Sequence, residues 1–309
     1  MVSSSSNYFS KLKNKLNEFK EKFKHFYFYH RSPVYTHKYM YKKKFNKELD
    51  LNNPKTLNEK LQYLIIYKFG KREAYLTDKI RVKEYVNSLN IDGLTVPRTI
   101  KSYKDANEID LSELPDKFVI KCNHRSGGVF VCTNKSAFDL DGIRKVLNNM
   151  LKENYAKVNY EYHYKYIEPQ IMVEEYISDG TGRMPYDYKF YMFSGRVGKL
   201  LLCSDRANGL RQDMFDQYWN YQDDVLPEYR SNTVPAKPDN LQDLVRIAEE
   251  LCVTDKSHNF PFVRVDLYSD NNKVYFGEYT FTPAQGLDGD FYEHAQLEMG
   301  GKLDLSLYD

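Results

Sequence analysis

The chain has 309 residues, of which 41% are hydrophobic and 28% charged, so it is long enough and apolar enough for one large or two ordinary folded domains and is not a disordered chain. No apolar run approaches the ~18 residues of a membrane span, "MVSSSSNYFS" has no signal-peptide core, and Cys122, Cys132, Cys203 and Cys252 make no C-x-x-C pair, which argues against zinc sites and disulfide frameworks alike. Net charge is +2, but residues 1 to 48 hold eleven Lys and one Arg against three Glu, a +9 head on a −7 body.

In that head, Phe9, Leu12, Leu16, Phe19, Phe23 and Phe26 recur at alternating spacings of 3 and 4, with Lys on most positions between. The spacing predicts an amphipathic helix. Such a helix either docks on its own domain or a partner subunit, or lies on an anionic membrane surface with Phe and Leu inserted and Lys against lipid phosphate.

After Lys47, "NPKTLNEKLQYLIIYKFG" predicts a helix through Leu57, Leu61 and Leu64, and "TDKIRVKEYVNSL" a second one with Lys79 near its start. "GLTVPRTI" reads as one strand. "DKFVIKCNHRSGGVFVCTNKS" reads as strand, Gly-containing loop, strand, then a helix from about Asp141, for which Asp141 looks like the N-cap. "IEPQIMVEEYIS", "DYKFYMFSG" and "VGKLLLCSD" are strands, and a helix follows from Asn240 to Cys252. Strands and helices mix without regular βαβ alternation, which favours α+β over a doubly wound sheet.

The hairpin "VRVDLYSDNNKVYFGEYTFTPAQG" concentrates charge of both signs. Strand alternation puts Arg264 and Asp266 on one face, and Phe276, Glu278 and Thr280 on one face of the returning strand. A turn at Asn271-Asn272-Lys273 sets Asp266 opposite Glu278 and Arg264 opposite Thr280. Opposed carboxylates repel at this spacing, so a positive group must lie between them. A solvated face neutralised by Arg264 satisfies this, and so does a divalent cation with Arg264 on phosphate oxygens. Upstream, the backbone N–H groups of Ser126, Gly127 and Gly128 in "HRSGGV" suit close approach to an anion or a plain turn. Lys121 ends an apolar strand and needs a partner or solvent.

Taken in order, Lys79 in "TDKIRVKEYV", Lys121 in "FVIKCNHRSGG", Glu174 and Glu175 in "IMVEEYI", Asp187 in "YDYKFYMFSG", "RVD" and "GEYT" resemble the ATP-grasp superfamily. "NPKTLNEKLQ", "LPDKFVIKCNH", "DYKFYMFSG", "FVRVDLY" and "YFGEYTFTPAQG" resemble its teichuronopeptide-biosynthesis (TupA-like) branch, from about Asn53 to Leu305. The resemblance implies two α+β subdomains with ATP between them and a mobile β-hairpin lid. It implies an ATP-grasp domain over residues 49–309, with a lid subdomain at about 117–173, behind the basic amphipathic extension of residues 1–48.

By the same resemblance, Lys79 and Lys121 hold nucleotide phosphates, Ser126 to Gly128 form the lid loop, and Glu174, Glu175, Tyr176 and Ile177 form the hinge that reads adenine. Asp187 meets the ribose. Arg264 binds phosphate and, with Lys121, is implied in catalysis. Asp266 and Glu278 hold Mg²⁺, with Thr280 where the superfamily usually has an Asn. A hydroxyl is a poorer ligand than an amide oxygen, so fewer protein oxygens are expected on a second metal.

The implied reaction is ATP- and Mg²⁺-dependent joining of a carboxylate to an amine through an acyl phosphate, on a small-molecule or polysaccharide-linked acceptor of capsule or teichuronic type. Positioning and charge stabilisation carry such chemistry without a nucleophilic side chain. Arg206 and Arg211 in "DRANGLRQD", or Thr282 and Gln285 in "TPAQG", are candidate acceptor contacts. The alternatives are an ATP-dependent sugar kinase, a non-catalytic scaffold, or a metal-dependent glycosyltransferase; Asp139-Leu140-Asp141 and Asp288-Gly289-Asp290 supply the D-x-D of the last. A cytoplasmic location, with attachment at the inner membrane face, is expected, and nucleic acid is not.

Overall fold

The computed structural model describes residues 13–20, 22–23, 27, 32–178, 185–204, 209–255, 258–270 and 273–308. Two sheets carry the fold. The larger has the order β1 (Leu94–Thr95), β13 (Val274–Thr280), β12 (Phe262–Ser269), β6 (Tyr186–Phe193), β7 (Arg196–Ser204), β8 (Arg211–Phe215), β9 (Tyr221–Gln222), the smaller the order β2 (Thr99–Tyr103), β5 (Ile171–Glu175), β3 (Phe118–Cys122), β4 (Phe130–Cys132), and β10 (Val253–Asp255) pairs separately with β11 (His258–Asn259). Apart from the parallel pair β1 (Leu94–Thr95) with β13 (Val274–Thr280), both sheets are antiparallel throughout. This is the expected α+β architecture.

"GLTVPRTI" is not one strand. It is β1 in the large sheet and β2 (Thr99–Tyr103) in the small one, separated at Pro97. Proline has no N–H to give a ladder, so the chain crosses between sheets there.

In the large sheet, β6 (Tyr186–Phe193), β7 (Arg196–Ser204), β8 (Arg211–Phe215) and the short β9 (Tyr221–Gln222) succeed one another, and β12 (Phe262–Ser269) sits between β13 and β6. Its core residues Val263, Val265, Leu267, Phe190 and Leu200 are buried together with Leu244 and Ile247 of a helix over Leu241–Glu250. The small sheet, β2 with β5 (Ile171–Glu175), β3 (Phe118–Cys122) and β4 (Phe130–Cys132), has its own core of Phe118, Ile120, Val173 and Leu147. Two separate apolar clusters are what two subdomains require. All four cysteines are free and buried.

The helix α1 (Pro33–Phe45) lies against α2 (Leu57–Tyr67). A capping box opens α2: the Thr56 hydroxyl accepts from Glu59 N, and the Glu59 carboxylate accepts from Thr56 N. Short helices α3 (Lys71–Thr77) and α4 (Arg81–Ser88) follow, and the turn between them carries Lys79. Against the small sheet, α5 (Leu140–Lys152) is capped by Asp139, whose carboxylate accepts from Gly142 N at 2.9 Å. The cap is therefore Asp139, not Asp141. Asp141 lies in the first turn and pairs with Arg144.

Candidate nucleotide and metal site

The ladder between β12 and β13 has Asp266 opposite Glu278 and Arg264 opposite Thr280, as the alternation predicts. Register then slips by one residue, so that Leu267 faces Phe276 and Gly277 is the extra residue of a bulge. Phe276 therefore does not share the face of Glu278. It turns into the apolar core, 2% exposed.

Arg264 makes the opposed acids tolerable. Its Nε and Nη2 donate to both oxygens of Asp266 at 2.6 and 2.7 Å, Nη2 also donates to Thr280 Oγ1 at 3.1 Å, and the guanidinium lies 3.7 Å from Glu278. Lys79 reaches Glu278 from the α3–α4 turn at 3.0 Å. Partial burial opposes ionisation of Glu278, yet Lys79, Lys189 and Arg264 hold its carboxyl well below the ordinary carboxylate range.

The adjoining strand β6 adds a lysine that sequence reasoning passed over. Lys189 stands opposite Asp266 in the ladder, donates to it, and lies 2.8 Å from Asp187. Period-2 alternation alone puts Lys189 on the face of Asp187, but a strand lysine reads as solvated until the neighbouring strand is known. Here both carboxylates are almost fully buried, so Lys189 neutralises them.

Asn123, also missed, ties the small sheet to the Lys79 turn. Its amide donates to Asp78 and to the Glu168 carbonyl, both at 3.0 Å, its side-chain oxygen accepts from Gln170 N, and its carbonyl accepts from Lys79 N at 3.3 Å. Lys121, two residues earlier, ends 2.7 Å from Glu174. Lys83 of α4 shares that carboxylate. Glu175 accepts from Arg98 N at 2.8 Å, and Tyr176 and Ile177 follow half-buried. Glu174 and Glu175 thus anchor lysines and backbone.

In the loop between β3 and β4, Gly127 and Gly128 have φ of 74° and 66°, a region glycine enters without steric cost. No atom lies within 4 Å of a β-carbon placed on Gly127, and Ser126 and Gly127 are exposed. His124 is buried with Nε2 against the Met150 carbonyl, a local bond.

The acceptor candidates divide. Thr282 donates to buried Glu161, a residue the sequence did not mark, and burial pushes that carboxyl up to about 7 against the Thr282 bond and Lys79. Ala284, Gln285 and Gly286 all take positive φ, and Gln62, held by His37, donates to the carbonyls of Gln285 and Gly286. Arg211 donates to the Glu228 carbonyl at 3.0 Å and is not brought to the cavity beside Arg264. Arg206 and the turn residues Asn271 and Asn272 lie outside the described residues.

Among the described residues no three His, Cys, Asp or Glu side chains gather as a metal cage. Two facing carboxylates with cations around them fit the alternative, in which Mg²⁺ keeps waters and substrate phosphates as its other ligands. Asp266 and Glu278 would hold it.

The family model for TupA-like ATP-grasp proteins matches residues 59–304. Among solved structures, D-alanine–D-alanine ligase from Bacillus anthracis is 16% identical, with 76% of this chain and 69% of that one covered and a TM-score of 0.47. Phosphoribosylamine–glycine ligase from Thermotoga maritima is 13% identical, with 69% and 50% covered and a TM-score of 0.39. A RimK-domain ATP-grasp protein from Sphaerobacter thermophilus is 12% identical, with 83% and 72% covered and a TM-score of 0.38. No curated protein matches the chain.

Proposed function

Because the chain belongs to the TupA-like ATP-grasp family and is by that membership an ATP-dependent ligase, we propose that it joins a carboxylate to an amine through an acyl phosphate, with Mg²⁺, on a surface-polysaccharide precursor. The observation that carries this reading is the face shared by Lys79, Lys189, Arg264, Asp266 and Glu278, where cations and carboxylates interleave. An oxygen of the substrate carboxylate attacks the γ-phosphorus, and the bond to the bridging oxygen of ADP breaks. The amine then attacks the acyl carbon, phosphate leaves with the proton that the nitrogen gives up, and an amide remains. Mg²⁺, when bound, draws off charge developing on the phosphate oxygens.

On this reading Arg264 and Lys79 leave their carboxylates for phosphate oxygens, and Lys121 does so from Glu174. Thr280 is an accessory ligand, and Asp187 and the backbone of residues 174–177 contact ribose and adenine. The lid is the sheet and loop of about residues 117–173 within a domain of residues 49–309. Within the extension of residues 1–48, the segment before α1 holds the enzyme to an anionic membrane face. Supporting this, Leu16, Phe19 and Phe23 on one helical stripe are 54, 68 and 61% exposed. Among the described residues no helix is long and apolar enough to cross a membrane, so attachment would be peripheral.

The test is ATP binding by calorimetry with and without Mg²⁺, then ADP release over crossed carboxylates and amines with mass analysis of products. Tighter binding with Mg²⁺, and ADP with an amide, are expected. Asp266→Asn and Glu278→Gln should abolish the Mg²⁺ effect. Negligible ATP affinity under both conditions overturns the reading; ADP with a phosphosugar makes the protein a kinase, and nucleoside diphosphate from a nucleotide sugar makes it a glycosyltransferase.

A further inference from the structure

Next to the phosphate face is a cavity of about 260 Å³ that the reading above leaves without a role. Arg264 and Lys189 line it together with Tyr191 and Leu287, and so do Asp288 and Asp290 of the Asp-Gly-Asp turn. Cations and carboxylates thus share one recess.

The turn is rigidly held. Asn58 accepts from Asp288 N at 3.1 Å and donates to the Asp288 carbonyl at 2.7 Å. Asp288 Oδ1 accepts from Asp290 N at 3.0 Å, and Asp290 Oδ2 accepts from Gln212 at 3.1 Å. Lys44, an exposed residue, also lines the cavity, close to Gly289, where a β-carbon would stand 2.9 Å from Lys44 Cε.

Charge distinguishes this turn from the hairpin. Every acid of the phosphate face is paired with a lysine or arginine, whereas among the described residues neither Asp288 nor Asp290 forms an ion pair. Burial raises the Asp288 carboxyl to about 6. Arg264 and Lys44 oppose that rise from beyond ion-pair distance, and a cationic ligand at the turn offsets the remaining cost of burial. The cavity is also smaller than the ~300–1,000 Å³ of common small-molecule sites, so it admits a small amine or only the end of a larger one.

We infer that the Asp288-Gly289-Asp290 turn is the amine subsite, which binds the acceptor as a primary ammonium and, once a proton has passed to a turn carboxylate, directs its nitrogen toward a carboxyl group lying at Arg264 and Lys189. The assignment of the ammonium as acceptor rests on the ligase reading. Its binding does not.

The experiment is ligand-observed NMR on full-length protein saturated with Mg·ATP, with ethanolammonium as probe and ethylene glycol as its neutral counterpart. The wild type is expected to bind ethanolammonium at least tenfold more tightly than ethylene glycol. Asp288→Asn keeps an oxygen for the Asp290 N–H and should lose about tenfold, Asp290→Asn should lose a similar factor, and both should keep Mg·ATP affinity. No saturable ethanolammonium binding, equal binding by the variants, or a Mn²⁺ relaxation signal that requires Asp288 and not Asp266 overturns the proposal. Absent ADP release beside intact ammonium binding sinks the ligase reading alone.

Discussion

A β-carbon on Gly277 would stand 2.7 Å from the carbonyl oxygen of Asp266, across the ladder that joins the two proposed metal ligands. Only a residue without a side chain fits there, and its bulge turns Phe276 into the core while leaving Glu278 opposite Asp266. Gly277→Ala must push backbone against backbone. A loss of about 1–3 kcal/mol is expected, read as a lower urea midpoint, together with weaker Mg·ATP binding as Glu278 moves. Unchanged midpoint and affinity would mean that the bulge does not position Glu278.

Lys189→Met keeps the side-chain length but removes the charge between Asp187 and Asp266. Removing one partner from a buried ion-pair network typically costs about 3–5 kcal/mol, and Arg264 remains on Asp266 to limit the damage. A loss near the lower figure is expected, greater at pH 8 than at pH 5.5, because Asp266, whose carboxyl burial already pushes up, relieves the repulsion by taking up a proton. Thermal melts at the two pH values check this. Equal losses would place the effect in packing.

Glu161 links stability to pH. Burial raises its folded-state pKa from 4.5 to about 7, so between those values the folded chain binds the extra proton. Its contribution is fully present below about 4.5 and declines as pH rises through 7. The difference amounts to at most about 3 kcal/mol. Glu161→Gln keeps an acceptor for Thr282 and should flatten the decline, making the variant more stable than wild type at pH 8. A wild-type curve flat across this window would remove the linkage.

For the N-terminal segment, co-sedimentation with vesicles separates membrane attachment from docking. Full-length protein should pellet with anionic but not neutral vesicles at low salt and be released at high salt, since each Lys near such a surface contributes about 1 kcal/mol and screening removes it. A chain lacking residues 1–31 should remain in solution. Equal binding by both chains, or none, returns the stripe to a docking role.

Much of the candidate site was legible from local chemistry. The register of Asp266 with Glu278 follows from strand period and a polar turn, both properties of adjacent residues, and the ordered lysines and the acids at 174 and 175 carry the resemblance to the family whose model matches residues 59–304. What sequence alone left out depends on partners distant along the chain. Asn123 is a strand-end amide until Asp78 and Gln170 surround it. Lys189 is one polar residue in "DYKFYMF" until β12 sets Asp266 beside it, 77 positions away. Glu161 is an ordinary loop acid until Thr282 and the core remove its water. Gly277 reads as a strand glycine, and its bulge reverses the face of Phe276 because side-chain direction in a strand depends on every residue counted from the turn. Local periodicity therefore determined which strands and helices form and which charges face each other across one hairpin; the packing of two sheets decided which of those charges are buried, and burial is what turns a lysine or a glutamate into part of a site.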